Sequence, residues 1–180
     1  MKQKSTLYGL TAALGGALLL TAGWLGRAPN AQPALWLLWV MALLLIAVGS
    51  MGLTASLQRR SGVIGRWLLW IALVLLILGG LGAAFQQRFL ILGLIFGTIL
   101  LPMAMLIGGN ALWHEEGSTS IALPLLMGGL IAAPAALIVE IAGIVPSLGW
   151  QPWTLGVGLS WLALGVVWLL QSEQPAAKVP

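Results

Sequence analysis

Long apolar runs alternate with short polar or charged segments along the whole chain. Uncharged intervals of 21 to 32 residues occur six times between the Lys, Arg, Glu and His residues. Each interval is long enough for a membrane-spanning helix, which needs about 20 residues. We therefore expect an all-α polytopic membrane protein with six transmembrane helices in a bundle. The expected spans lie near residues 7–25, 35–57, 67–85, 89–107, 121–145 and 155–170.

The connections between these runs are too short to hold a soluble domain. Residues 1–180 are therefore expected to form a single integral membrane domain that ends in a short cytoplasmic tail, 171–180. Only residues 86–88 separate the third and fourth spans, which predicts a tight antiparallel hairpin. Pro33 and Pro152 are expected in the first turns of the second and sixth helices, where proline is tolerated.

The composition agrees with lipid as the solvent for most of the chain. Hydrophobic residues make up 60% and charged residues 7%, and the mean hydropathy is +1.04. A soluble domain carries about 25% charged residues. The chain has no cysteine, no aspartate and a single histidine, His114, which excludes disulfides, thiolate metal sites and a Ser-His-Asp triad. We expect no catalytic site, no cofactor and no metal.

The basic residues predict the orientation. With a cytoplasmic N-terminus, the cytoplasmic segments hold six of the eight basic residues, a positive-inside bias. An even number of spans then places both termini in the cytoplasm, and we expect a multi-pass protein of the cytoplasmic (inner) membrane. Residues scattered in this way do not form a phosphate-binding stripe, so nucleic acid is not an expected partner. The six expected cytoplasmic residues are Lys2, Lys4, Arg59, Arg60, Arg66 and Lys178.

The tryptophans lie mostly near the ends of the expected spans, where aromatic residues anchor helices at the depth of the headgroups. The outer boundary is expected to hold Trp24, Trp36, Trp150 and Trp153, and the inner boundary Trp67, Trp70, Trp113 and Trp168. Only Trp39 and Trp161 are expected deeper in the membrane.

A threefold repeat of helical hairpins is one interpretation of the three outer connections. The closest match is between Gln32-Pro33 and Gln151-Pro152, and the alternative is that outer connections converge on Pro, Gln and Trp. In plan alone, three hairpins in 180 residues resemble the small HdeD-like bacterial membrane proteins.

Small residues recur inside the spans, where they let helix backbones approach closely. The clearest pairs are Gly93 with Gly97 and Ala13 with Ala17. We expect most of them to pack the bundle internally, and the alternative is a docking face for another membrane subunit or a second copy. Six spans with a small-residue pair on the first helix are similar to the solute-binding S-components of energy-coupling-factor transporters.

Glu140 is the only ionisable residue that the expected spans place well inside the membrane. It lies roughly 8 Å inside the outer boundary, from about five residues at 1.5 Å each. Arg27 and Arg88 are expected on the same side. One interpretation is a structural ion pair or a snorkelling carboxylate. The other is a proton-accepting or cation-binding carboxylate that faces an outward cavity.

Pro102 and Pro134 fall at mid-depth in the fourth and fifth spans, and Gly128 loosens the fifth further. Interrupted spans of this kind can mark a binding site near the middle of the membrane. The possible site therefore lies between these spans and near Glu140. The alternative is two curved helices that their neighbours accommodate.

Two functional hypotheses follow. The first is a non-catalytic structural or accessory membrane component that acts through helix packing, with the lipid bilayer as its surroundings. The second is a small transporter or solute-binding membrane subunit with an outward cavity near Glu140. The first hypothesis predicts a filled bundle with small-residue faces turned outward, and the second predicts a cavity between the kinked helices.

Overall fold

The computed structural model describes residues 2–25, 33–57, 60–114, 117–142 and 146–173. These residues form six α-helices joined by short connections, and no strand occurs among them. All six helices are long and apolar enough to cross a membrane, so the chain is a multi-pass membrane protein. The helices are α1 (Lys2–Leu25), α2 (Pro33–Ser56), α3 (Arg60–Ala84), α4 (Arg88–His114), α5 (Thr119–Ala142) and α6 (Pro146–Glu173).

The helices form a closed ring in which each one packs against the next and α6 packs against α1. Neighbours run antiparallel, as the α1–α6 pair illustrates: Gly9 lies against Gly165, and Gly23 against Thr154. The start of α1 and the end of α6 therefore lie at the same end of the bundle. We call this the terminal end, and we call the end that carries the α1–α2, α3–α4 and α5–α6 connections the opposite end.

Glycines set how closely the helices approach. A Cβ atom built on Gly16 of α1 would lie 2.5 Å from the backbone nitrogen of Leu162 and 2.6 Å from the carbonyl oxygen of Gly158 in α6. Gly93 and Gly97 lie in the same way against α3, at Leu75 and Leu76. Lipid offers helices no hydrophobic drive to associate, so close van der Waals packing at such positions is a main source of bundle stability.

The contact between α2 and α3 is the sparsest around the ring. Its two glycine contacts lie near its ends, Gly80 against Trp39 and Val40 at one end and Gly62 against Leu57 at the other. Neither helix places a glycine against its partner between these points. The sparse α2–α3 contact therefore agrees with where the glycines fall in the sequence.

The α3–α4 connection is the tight antiparallel hairpin that its length predicts. Gln86 adopts a left-handed φ of 56°. The backbone N–H of Gln87 donates to the carbonyl of Gly82 at 2.7 Å, and that of Gln86 donates to Ala83 at 3.4 Å. This pair of hydrogen bonds is a Schellman motif, which most often has glycine at the left-handed position. The motif ends α3 at Ala84 and turns the chain into α4 within three residues.

Several helices extend beyond the spans expected from the sequence. α3 begins at Arg60 rather than at residue 67, α4 continues to His114 rather than 107, and α6 runs from Pro146 to Glu173 rather than from 155 to 170. The expected spans were limited by charged and polar residues, but a helix continues through the headgroup region, where water and lipid solvate such side chains. Residues 171–173, expected in the tail, are consequently helical.

Proline has two different roles at the starts of helices. Pro33 is the first residue of α2, as expected, whereas Pro152 lies inside α6 as its seventh residue. Pro33 and Pro152, which the sequence aligns in the possible repeat, therefore occupy different helical positions.

The exposed surface of the helices is apolar, as contact with a lipid bilayer requires, and some tryptophans lie on it. Trp24 and Trp67 are exposed, in agreement with a headgroup position. Trp153 and Trp168 lie near the two ends of the span Pro152–Ser172, but they are buried against other helices instead of facing the headgroups. α6 is apolar on nearly all sides, so the sequence did not indicate which face turns inward.

Candidate functional site

One face of α6 fills the interior of the ring with large side chains. Its buried residues recur at intervals of three or four positions, the spacing of a single helical face. Trp153 and Trp161 on this face are 2% and 0% exposed. The buried residues of the face are Trp153, Val157, Trp161, Leu164 and Trp168.

Trp153 connects three helices across the interior. Its indole N–H donates a hydrogen bond to the backbone carbonyl of Thr98 in α4 at 2.9 Å. Its ring lies 6.1 Å from the ring of Trp39 in α2, and Trp39 in turn makes an edge contact with Trp36 at 5.9 Å. Because α2, α4 and α6 are not sequence neighbours, this contact ties together helices that the short connections do not hold.

The carbonyl that Trp153 contacts is the one that Pro102 leaves without a helical donor. In an α-helix the carbonyl of Thr98 would accept the N–H of residue 102, but proline has no N–H. The indole N–H of Trp153 takes its place. Neighbouring helices commonly satisfy backbone groups that a membrane proline frees. The proline-containing turn of α4 is therefore bonded to a side chain of α6.

A second contact of α6 lies at α5. A Cβ atom on Gly128 would collide with the Cβ of Ser160, and one on Gly156 would lie 2.9 Å from the carbonyl of Gly128. The hydroxyl of Ser160 donates to the carbonyl of Pro124 at 2.8 Å. α5 and α6 thus cross at small residues, with a hydroxyl bonded to the neighbouring backbone.

The structure brings together part of the site expected from the sequence. Pro102 and Gly128 are buried, and the carbonyl of Pro102 lies 3.1 Å from a Cβ atom built on the adjacent Gly129. Pro134 is exposed, on the same side of α5 as the exposed Leu130. α4 and α5 therefore meet at Pro102, whereas Pro134 faces away from this contact.

Of the charged members of the expected site, Arg27 lies outside the described residues. Arg88 is the first residue of α4 and Glu140 lies in the last turn of α5, and the structure describes these two by their helical positions alone. An ion pair or a cavity at Glu140 stays a prediction. In the described part of the chain, no three His, Cys, Asp or Glu side chains come together as a metal site.

Trp161 is a buried polar group that the sequence did not single out. Its indole nitrogen has no hydrogen-bond partner among the described residues, and the side chain is fully buried. A buried donor without an acceptor costs about 1–3 kcal/mol. The one sequence feature that set Trp161 apart was its expected depth, since Trp39 and Trp161 were the tryptophans expected far from both boundaries.

Arg66 was expected in a cytoplasmic connection, but the structure places it in a helix. It lies inside the membrane span Gly62–Ala84, because α3 begins earlier than its apolar run. It is the only Lys, Arg, Asp or Glu in the six described spans. Its side chain is half-buried, and it forms no ion pair with a described residue. Val63 and Ile64, which precede it, were the signal that the helix begins before the arginine.

Comparison of the chain with protein-family models, with curated proteins and with solved structures finds no match.

Proposed function

We propose that the protein is a non-catalytic structural or accessory component of the cytoplasmic membrane, with both termini in the cytoplasm. It acts through the packing of its helices rather than by moving or converting a solute. The observation that carries this proposal is the filled interior, in which Trp153 joins α2, α4 and α6.

The polar groups of the interior support the same proposal. A path for ions or polar solutes needs a lining of carbonyls, hydroxyls or charges. The hydroxyl of Ser50 donates to the carbonyl of Ala47 at 2.7 Å, and that of Ser160 donates to the carbonyl of Pro124 at 2.8 Å. Both hydroxyls are thus bonded to the protein backbone.

The positions of the small residues limit which surfaces of the protein a partner could bind. A Cβ atom on Gly165 of α6 would collide with Ala13, so the small-residue face of α1 already packs against α6. The pair Gly93 and Gly97 packs against α3. A docking face of small residues turned outward is therefore not supported by these positions. An accessory role would use the large apolar side chains of the lipid-facing surface or the connections.

The test is reconstitution of the purified protein in sealed vesicles. We expect proton and potassium permeability equal to that of empty vesicles, and equal again for Glu140→Gln. A protein-dependent flux that Glu140→Gln abolishes would overturn the proposal. Photo-crosslinking in the native membrane, from the exposed position of Leu130 compared with the buried position of Leu101, would identify an accessory partner.

A second candidate function is solute binding within the bundle, and the observation that favours it is Trp161. A fully buried indole N–H without a described acceptor is suited to bind a ligand that carries one. Native mass spectrometry of the purified protein tests this idea. A co-purifying small molecule that is lost in Trp161→Phe and kept in Trp153→Phe would support it, and the absence of any such molecule from the wild type would count against it.

A further inference from the structure

Arg66 carries a charge inside a membrane span and forms no ion pair with a described residue. The residue is the fifth of the span Gly62–Ala84, about 6 Å inside the end of that span at about 1.5 Å per residue. A charge at this depth needs an opposite charge or water, and the flexible side chain of arginine reaches the headgroup region from there. The headgroup phosphates supply the opposite charge.

Arg66 lies next to the contact between α2 and α3. Gly62 of α3 lies against Leu57, the residue that follows α2, with 3.2 Å between a Cβ atom built on Gly62 and the Cα of Leu57. Arg66 follows Gly62 by four residues, so it lies on the same face of α3, one turn deeper along the sparse α2–α3 contact. Antiparallel pairing brings the turn around Thr54 of α2 level with it. Arg66 thus lies beside the α2–α3 contact, the sparsest of the ring.

Two tryptophans accompany the arginine. Trp67 follows it directly and is 60% exposed, and Trp70 lies one turn deeper on the side of Arg66 and is half-buried. Amphipathic tryptophan rings prefer the depth of the headgroups and the upper acyl chains. Below them, the exposed face of α3 continues with apolar side chains, Ile71, Val74 and Leu78.

We propose that Arg66 binds the phosphate of an anionic phospholipid at the terminal end of the α2–α3 contact. The acyl chains lie along the exposed face of α3 below Trp67 and Trp70. Guanidinium groups bind phosphate oxygens in a bidentate manner, and basic pockets between membrane helices bind acidic headgroups. The lipid joins α2 to α3 where the protein itself makes few contacts, so binding stabilises the bundle.

The test measures lipid binding to the purified full chain in neutral detergent by native mass spectrometry, with phosphatidylglycerol and phosphatidylcholine as probes. We expect the wild type to prefer phosphatidylglycerol. Arg66→Gln should weaken its binding at least about fivefold, which corresponds to about 1 kcal/mol per basic residue near an anionic membrane surface. Arg66→Lys, which keeps the charge without the bidentate geometry, should retain part of the preference.

Arg88→Gln is the matched control, because it removes the same charge at the opposite end of the bundle. An equal loss in Arg66→Gln and Arg88→Gln would show an effect of net charge and would overturn the site, as would an unchanged preference in Arg66→Gln. If Arg66→Gln does not fold, the comparison of Arg66→Lys with wild type decides. Thermal stabilisation of the wild type by inorganic phosphate as strong as that by phosphatidylglycerol would also contradict a lipid site.

Discussion

Two tryptophans on one face of α6 differ in a single respect that mutation can isolate. Trp153 and Trp161 are both buried and lie two turns apart, but only the indole of Trp153 has a described hydrogen-bond acceptor, the carbonyl of Thr98. Replacement of either by phenylalanine removes the indole nitrogen and a similar volume. The packing loss, roughly 1 kcal/mol, is common to both variants.

The hydrogen bond separates their effects. Trp153→Phe leaves the carbonyl of Thr98 without a donor, because Pro102 cannot supply one. Hydrogen bonds between membrane helices contribute about 0.6 kcal/mol on average and up to about 1.7 kcal/mol. Trp161→Phe instead removes a buried donor whose isolation costs about 1–3 kcal/mol, which offsets its packing loss. We expect Trp153→Phe to be about 2–5 kcal/mol less stable than Trp161→Phe, the sum of the lost hydrogen bond and the relieved buried donor.

The assay is unfolding of the purified variants by SDS in mixed micelles, followed by circular dichroism so that the signal does not depend on tryptophan. Pro102→Ala completes a double-mutant cycle with Trp153→Phe. In this variant the N–H of the new alanine can donate to the carbonyl of Thr98 within α4. Trp153→Phe should therefore cost less in the Pro102→Ala background than in the wild type. Equal stabilities of the two tryptophan variants, together with a cost of Trp153→Phe that Pro102→Ala does not change, would refute the reasoning.

Two further predictions concern glycine. Gln86→Gly should stabilise the protein by about 0.5–1 kcal/mol. The φ of 56° strains glutamine by about 1–2 kcal/mol, and part of the gain is lost because glycine has a higher conformational entropy in the unfolded chain. An unchanged midpoint of SDS unfolding would contradict this prediction. Gly16→Ala should destabilise the bundle by about 1–3 kcal/mol, since its Cβ atom would lie 2.5 Å from the backbone of α6. Gly108→Ala is its matched control, with only the Cδ1 of Leu57 at 3.7 Å, and should be neutral or stabilising; similar losses in both variants would show that helix packing at Gly16 is not the cause.

The number and order of the helices could be predicted from the sequence because lipid leaves the backbone few choices. An apolar run that crosses a bilayer must satisfy its own N–H and carbonyl groups, so it becomes a helix. The hairpin around Gln86 followed from its length alone. The ends of the helices could not be predicted in the same way, since an interfacial residue such as His114 is solvated inside a helix as well as in a loop.

The candidate site was harder to predict, for two physical reasons. Spans that are apolar on all sides give no periodic signal of which face turns inward, so the burial of Trp153 among the other helices was not predicted. Its contact with Thr98 depends on α4 and α6 approaching across the ring, which no local pattern encodes. Arg66 was assigned to a connection because a charge was taken as the limit of a span.

The filled interior is the central claim, and cysteine reactivity in reconstituted bilayers tests it most directly. The chain has no cysteine, so single substitutions report without background. Ser50→Cys and Ser160→Cys probe buried positions of α2 and α6, and Ser120→Cys probes an exposed position at the start of α5. We predict that a water-soluble thiol reagent labels Ser120→Cys and leaves the two interior variants unlabelled. Rapid labelling of both interior variants would reveal water inside the bundle and would contradict the account.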